Sequence, residues 1–154
     1  MSQFLSMFNS AGPQAFSQMA CQVAPYFSTI NPLVTELRAN AATVQVPFRR
    51  EITNHLGTVH AIAMCNAAEL AAGMMTDVSI PAGARWIPKG MTVEYLKKAV
   101  GTQHAVATPE FPPYESAEAY ELPINVVVSD PQNDAVFKAR ILMWVTPKPA
   151  RAAR

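Results

Sequence analysis

Charge is scarce in this sequence. Aspartate, glutamate, lysine and arginine make up 15% of its 154 residues, against roughly 25% in an average soluble domain, while half of the chain is hydrophobic. So little charge predicts that part of the surface is covered by a second copy, as a homodimer or a dimer of dimers. The net charge is only +1. Basic residues adjoin only at Arg49-Arg50 and Lys97-Lys98, so there is no extended cationic face for a nucleic-acid backbone. Long apolar runs are also missing. No window approaches the roughly 18 residues of a membrane-spanning helix, and the start, Met1-Ser2-Gln3-Phe4, lacks the positive region of a signal peptide. These absences predict a cytoplasmic protein without a membrane partner. The two cysteines, Cys21 and Cys65, lie in apolar helical surroundings without Cys-x-x-Cys spacing, which predicts reduced structural thiols and no metal site.

The length predicts a single domain over residues 1–154. Residues 4–23 place Phe4, Met7, Phe8, Ala11, Ala15, Met19 and Val23 at mostly helical spacing, interrupted by Gly12-Pro13, which predicts one or two helices in an N-terminal segment over 1–36. Pro25 and Asn31-Pro32 mark a turn. From Asn40 to Phe48, Ala42, Val44, Val46 and Phe48 alternate with polar neighbours or proline, as in a strand. The period becomes helical at Gly57-Thr58. Further strands are predicted over Arg85–Ala99, with Met91, Val93 and Tyr95 on one face, and over Thr102–Thr108, Glu121–Ser129 and Ala135–Thr146. In the last, Lys138 and Arg140 alternate with Phe137, Ala139 and Ile141, the pattern of a sheet with one wet face. Residues 148–154 have no apolar pattern and are expected to fray. The fold class is therefore α+β, with an antiparallel five-stranded sheet curled around one long central helix.

Between Val59 and Met75 only His60, Asn66 and Glu69 carry hydrogen-bonding heads, so this helix is expected to be enclosed nearly all round. On that reading Glu69 is out of bulk water, its pKa is raised, and it is suited to act as a base near neutral pH. With Thr58 as N-cap, the N–H groups of His60 and Ala61 would be unpaired in the first turn and form an oxyanion hole. His60 and Glu69 are nine residues apart, nearly opposite around the helix and roughly 13 Å apart along it. One chain cannot join them. Two antiparallel helices in a two-fold dimer could, giving a shared site.

The run Asn54-x-x-Gly57-Thr58-Val59-His60-Ala61, with Glu69 nine positions after the histidine, resembles the PaaI-like acyl-CoA thioesterases of the hotdog-fold superfamily. Their usual pattern is Asn-x-x-Gly-x-x-His-Gly-Gly followed by an acidic residue on the central helix. The resemblance covers about residues 38–147 and implies a hotdog fold and hydrolysis of an acyl-CoA to free acid and CoA, with no cofactor beyond the substrate's own coenzyme. It implies that Glu69 activates water or attacks the thioester, that Asn54 of the partner positions the water, that His60 contacts the thioester region, and that the Ala61 N–H, beside Gly57, polarises its carbonyl. Arg85, Lys89, Lys97 and Lys98 are the candidates for contacting the coenzyme's phosphates. The chain departs from the pattern in carrying Ala61-Ile62 for Gly-Gly, which adds bulk where the thioester would approach. It also offers no serine or threonine around Ile87 and Pro88, where some relatives use one.

Each residue has a simpler reading as well. Glu69 could pair with a buried cation, Asn54 could serve only its turn, and His60 could only cap the helix. Met64, Met74 and Met75 suit a core or an acyl tunnel equally. Two other functions remain open. A hotdog dehydratase or hydratase would use His55 with Glu69, but the proline-rich turn of such enzymes is absent. A non-catalytic acyl-thioester-binding protein fits the missing Gly-Gly.

Overall fold

The computed structural model describes residues 2–149. Its elements are α1 (Gln3–Val23), a 3-10 turn (Pro25–Ile30), β1 (Leu33–Arg38), β2 (Ala41–Val46), a short 3-10 turn (Arg50–Ile52), α2 (Ala61–Ser79), β3 (Ala84–Tyr95), β4 (Gln103–Pro109), β5 (Tyr120–Ser129) and β6 (Ala135–Pro147). All strands join one antiparallel sheet in the order β1-β2-β4-β5-β6-β3. The sheet thus has six strands, one more than the sequence predicts. β1 escaped because a bulge between Val34 and Glu36 puts its buried residues, Val34 and Leu37, three positions apart and hides the period of two. Helical structure correspondingly ends at Ile30, short of residue 36.

The other strands follow their alternation. Leu122, Ile124, Val126 and Val128 of β5 and Phe137, Ala139, Ile141, Met143 and Val145 of β6 point into one buried cluster, while Lys138 and Arg140 stay exposed. β3 ends at Tyr95, four residues before the predicted limit, where the ladder to β6 breaks as the Leu96 and Lys97 N–H groups both donate to the Val136 carbonyl. β3 is the last strand of the sheet, and most of its residues are exposed.

α2 touches all six strands, so the sheet curls around it. Its buried side is rich in alanine (Ala67, Ala68, Ala71 and Ala72) between Met64, Leu70, Met75 and Val78. These small residues let the helix lie close to the sheet, and each large apolar side chain buried there contributes about 1.5–3 kcal/mol. The helix is nonetheless not enclosed all round: Ile62 is 53% exposed and Glu69 is exposed.

α1 is two helical pieces joined at Gly12, whose φ of +79° suits glycine, with Pro13 opening the second piece. Phe16 holds the pieces together by edge-on contacts with Phe4 and Phe8, at 6.1 and 5.4 Å between ring centres. The Ser17 hydroxyl donates to the Pro13 carbonyl and accepts from the Val34 N–H at 2.8 Å, tying α1 to β1. At the other end, Lys148 N–H donates to the Gly83 carbonyl and Lys148 Nζ to that of Ala82. The tail is therefore tied down at Lys148, and residues 150–154 lie outside the described residues. Among those residues no helix is long and apolar enough to cross a membrane.

Candidate active site

Asn54 builds the turn that leads into α2. Its Oδ1 accepts from the Leu56 and Thr58 N–H groups at 3.0 and 3.2 Å, and its backbone N–H donates to the Thr58 carbonyl at 2.9 Å. Its Nδ2 donates to Thr58 Oγ1 at 2.9 Å. Gly57 completes the turn with φ of +73°, a conformation glycine adopts without a steric penalty. Thr53 and Val59 then pair as a short bridge, and Val59 N–H reaches the Ala99 carbonyl at 2.8 Å.

The helix begins two residues later than predicted. His60, not Thr58, is the N-cap, its Nδ1 accepting from the Ile62 N–H at 3.0 Å. Thr58 is taken up by the Asn54 turn, and the chain must still pass the Thr53–Val59 bridge before it coils. The predicted pair of oxyanion donors is accordingly reduced. The His60 N–H donates to the Ile52 carbonyl at 2.8 Å, whereas the Ala61 N–H has no partner among the described residues. The His60 imidazole is exposed, and its Nε2 has no partner among the described residues.

Glu69 lies eight residues further on, about 12 Å along the axis from Ala61. It is exposed in this chain, which overturns the expectation of a carboxylate buried in its own helix. The sheet covers the alanine side of α2, leaving the strip of Ile62, Cys65 and Glu69 facing the 3-10 turn, β3 and, beside Glu69, α1. Along this strip runs a groove walled by Tyr26, Phe27, Ile62, Cys65, Asn66 and Met91. On the other side of Glu69 a separate apolar cavity opens toward α1 and Trp86. Cys65 Sγ stands 3.7 Å from the Tyr95 hydroxyl, a contact that, with burial, pushes the Tyr95 pKa up. Cys21 and Cys65 are both unpaired.

Sequence reasoning missed Tyr26, Phe27 and Trp86 as walls. The first two sit in a six-residue 3-10 turn that has no periodic signature, and Trp86 reads only as a strand residue. Asn66 is 7% exposed and donates through Nδ2 to Thr29 Oγ1 at 3.1 Å. Because the Thr29 hydroxyl donates to the Tyr26 carbonyl, its oxygen must accept from Asn66, which fixes the amide's orientation.

The four cations do not converge. Arg85 stands at the start of β3 and Lys97 just past its end, so a strand of roughly 33 Å lies between them. Lys89 pairs with Glu121 at 2.7 Å and lies over the Trp144 ring. Lys97 pairs with Asp134 at 2.6 Å and Asp130 at 3.1 Å. Arg85 only hydrogen-bonds Thr146, and Lys98 is exposed with no ion-pair partner among the described residues. No group of three or more His, Cys, Asp or Glu side chains among those residues is placed to hold a metal.

The family model described as Domain of unknown function (DUF4442) matches residues 12–145. A solved structure from structural genomics, APC5556, is 50% identical and superposes with a TM-score of 0.83, covering 95% of this chain and 97% of that one. The thioesterase HI1161 from Haemophilus influenzae has a TM-score of 0.70 at 12% identity, over 83% of this chain and 87% of its own. A thioesterase family protein from Silicibacter pomeroyi has 0.69 at 13%, over 86% and 96%. At such identities the likeness is one of fold. No curated protein matches the chain. The chain thus belongs to the DUF4442 family and shares its fold, the hotdog fold, with those two thioesterases.

Proposed function

We propose that the protein is a PaaI-like thioester hydrolase that cleaves an acyl-CoA, or a related acyl thioester, in a site shared across a homodimer. The observation that carries the reading is the layout of α2. One uncovered strip bears a carboxylate beside an apolar cavity, and the same helix begins with an unpartnered N–H at Ala61. With two copies of α2 antiparallel, Glu69 of each would face the first turn of the other. Covering the strip would also take Glu69 out of water, where a carboxylate becomes a stronger base.

In this mechanism Glu69 takes a proton from water as the water oxygen attacks the thioester carbon. The oxyanion is met by the partner's Ala61 N–H, the C–S bond breaks, and the thiolate leaves with the proton as CoA. A single donor of this kind contributes roughly 3–4 kcal/mol to the transition state. His60 Nε2, free of the cap, is available to the thioester region. Arg85 and Lys98 are the two candidate cations without an ion-pair partner among the described residues, so contacts to the coenzyme phosphates fall to them before Lys89 or Lys97. No other cofactor is invoked.

A second reading, a non-catalytic acyl-thioester-binding protein, is favoured by Asn54, whose amide is engaged in its own turn instead of being free to hold a water. The test is free-thiol release from short, medium, long and aryl acyl-CoAs by wild type, Glu69→Ala and Asn54→Ala at equal folding and dimer content. Loss of about 100-fold or more in Glu69→Ala, the scale of a missing general base, is the expected result. No turnover, or turnover indifferent to Glu69, leaves the binding protein.

A further inference from the structure

Between α1, the middle of α2 and β3 lies an apolar cavity of about 210 Å³. Phe4 and Val23 of α1, Phe27 of the 3-10 turn, Leu70 and Met74 of α2 and Trp86 of β3 wall it, and Glu69 borders it. Trp86 closes one side against Gly73, where a Cβ would stand 3.0 Å from the indole edge. Asp77 fixes that side. Its Oδ1 is 3.5 Å from Trp86 Nε1, and its Oδ2 accepts from the Ser2 hydroxyl at 3.0 Å, which pins the start of α1 over the cavity. α1 stands outside the strand order of the sheet, yet it supplies a whole wall of the cavity.

We infer that this cavity receives the acyl group of the thioester and selects a compact, uncharged one, the size of a single ring or a short chain. The inference rests on the hydrolase reading and adds the substrate class to it. Volume sets the size. An apolar cavity of about 150 Å³ takes up benzene, whereas drug-sized ligands need roughly 300–1,000 Å³. A long straight chain runs into the Trp86–Gly73 contact. Charge sets the polarity: an acyl group with a distal carboxylate would meet apolar walls and the carboxylates of Glu69 and Asp77, a combination that disfavours its entry.

Binding and turnover test this separately. The chain has two tryptophans, so Trp144→Phe leaves Trp86 as the only indole reporter. Titration of that full-length variant with phenylacetamide or hexanamide is expected to change its emission saturably, and succinamate, which carries a carboxylate, to leave it unchanged. Val23 is 70% exposed, so Val23→Phe fills the mouth without disturbing the core. It is expected to weaken amide binding and to lower kcat/KM for phenylacetyl- and hexanoyl-CoA by about 10-fold or more relative to acetyl-CoA, the scale of one misplaced methylene. Trp86→Ala opens the closed side and should shift preference toward dodecanoyl-CoA by a similar factor. No saturable emission change, or a binding and substrate profile indifferent to Val23→Phe, overturns the inference even if turnover depends on Glu69. Binding that Val23→Phe weakens, with no acyl-CoA hydrolysed, upholds the cavity as a site for compact apolar groups and overturns the hydrolase reading instead.

Discussion

The Asp130 carboxylate accepts from the Gln132 and Asp134 N–H groups at 3.0 and 2.9 Å and meets the Lys97 ammonium at 3.1 Å. Burial pushes its pKa up, but the two N–H donors and Lys97 outweigh that and hold it below the usual aspartate range. A depressed carboxyl stabilises the fold fully above its unfolded value of about 3.9, and the stability is lost as pH falls through the folded value. Glu110, held down chiefly by its hydrogen bond to Arg140, acts in the same direction. Asp130→Asn is therefore expected to lower the melting temperature at pH 7 and to narrow the gap from wild type as pH falls below 4. Melting curves from pH 7 to 3 check this, and a gap that widens in acid would contradict it. The same local view explains why Asn54 was only half legible. Asn-x-x-Gly announces a turn, but whether the amide serves that turn or a water depends on where Thr58 Oγ1 ends up.

At the scale of elements, the start of α2 is the decisive feature. His60 both caps the helix and leaves the Ala61 N–H without a partner among the described residues, so it positions the proposed oxyanion contact without supplying it. Losing an N-cap side chain costs about 1 kcal/mol. His60→Ala is expected to destabilise by that amount in denaturant titrations, with Asn at the same position restoring most of it. If His60→Asn also restores turnover, the residue acts through the cap; if turnover stays low in a stable protein, the imidazole itself is used. The link from β3 to β4 is equally constrained. Gly101 has φ of +83°, and a Cβ there would lie 2.6 Å from Pro131. Gly101→Ala should cost about 1–3 kcal/mol, read as a lower denaturation midpoint, and a neutral effect would show that the β5–β6 turn yields.

For the whole molecule, the uncovered strip of α2 continues onto β3, where Met91 and Tyr95 are 40% and 53% exposed. They pair with Ile141 and Phe137 of β6, whose side chains are buried, which sets them on the α2 side of the sheet. The outer edge of β3 is also unpaired. A long exposed edge beside an apolar strip invites pairing with a second copy. Met91→Lys and Ile62→Lys are expected to yield a monomer by light scattering and to lose hydrolysis together with dimer content. A stable wild-type monomer that still turns over thioesters would remove the shared-site mechanism.

The sequence by itself determined the α+β class, α2, the alternation of β2, β4, β5 and β6, and the Asn54-to-Glu69 motif, because hydrophobic period and turn chemistry are local properties. It could not reveal β1, whose bulge erases the period, and it offered a cap at His60 only as an alternative to Thr58, because the choice between them depends on a bridge closing from Thr53 to Val59. The exposure of Glu69 was decided only in three dimensions. An apolar helix looks enclosed in sequence, but the sheet covers just the side where alanines allow close approach, so the opposite strip stays open. The cavity likewise exists only because a kinked helix near residue 12, a 3-10 turn and a strand tryptophan meet across more than sixty positions of chain.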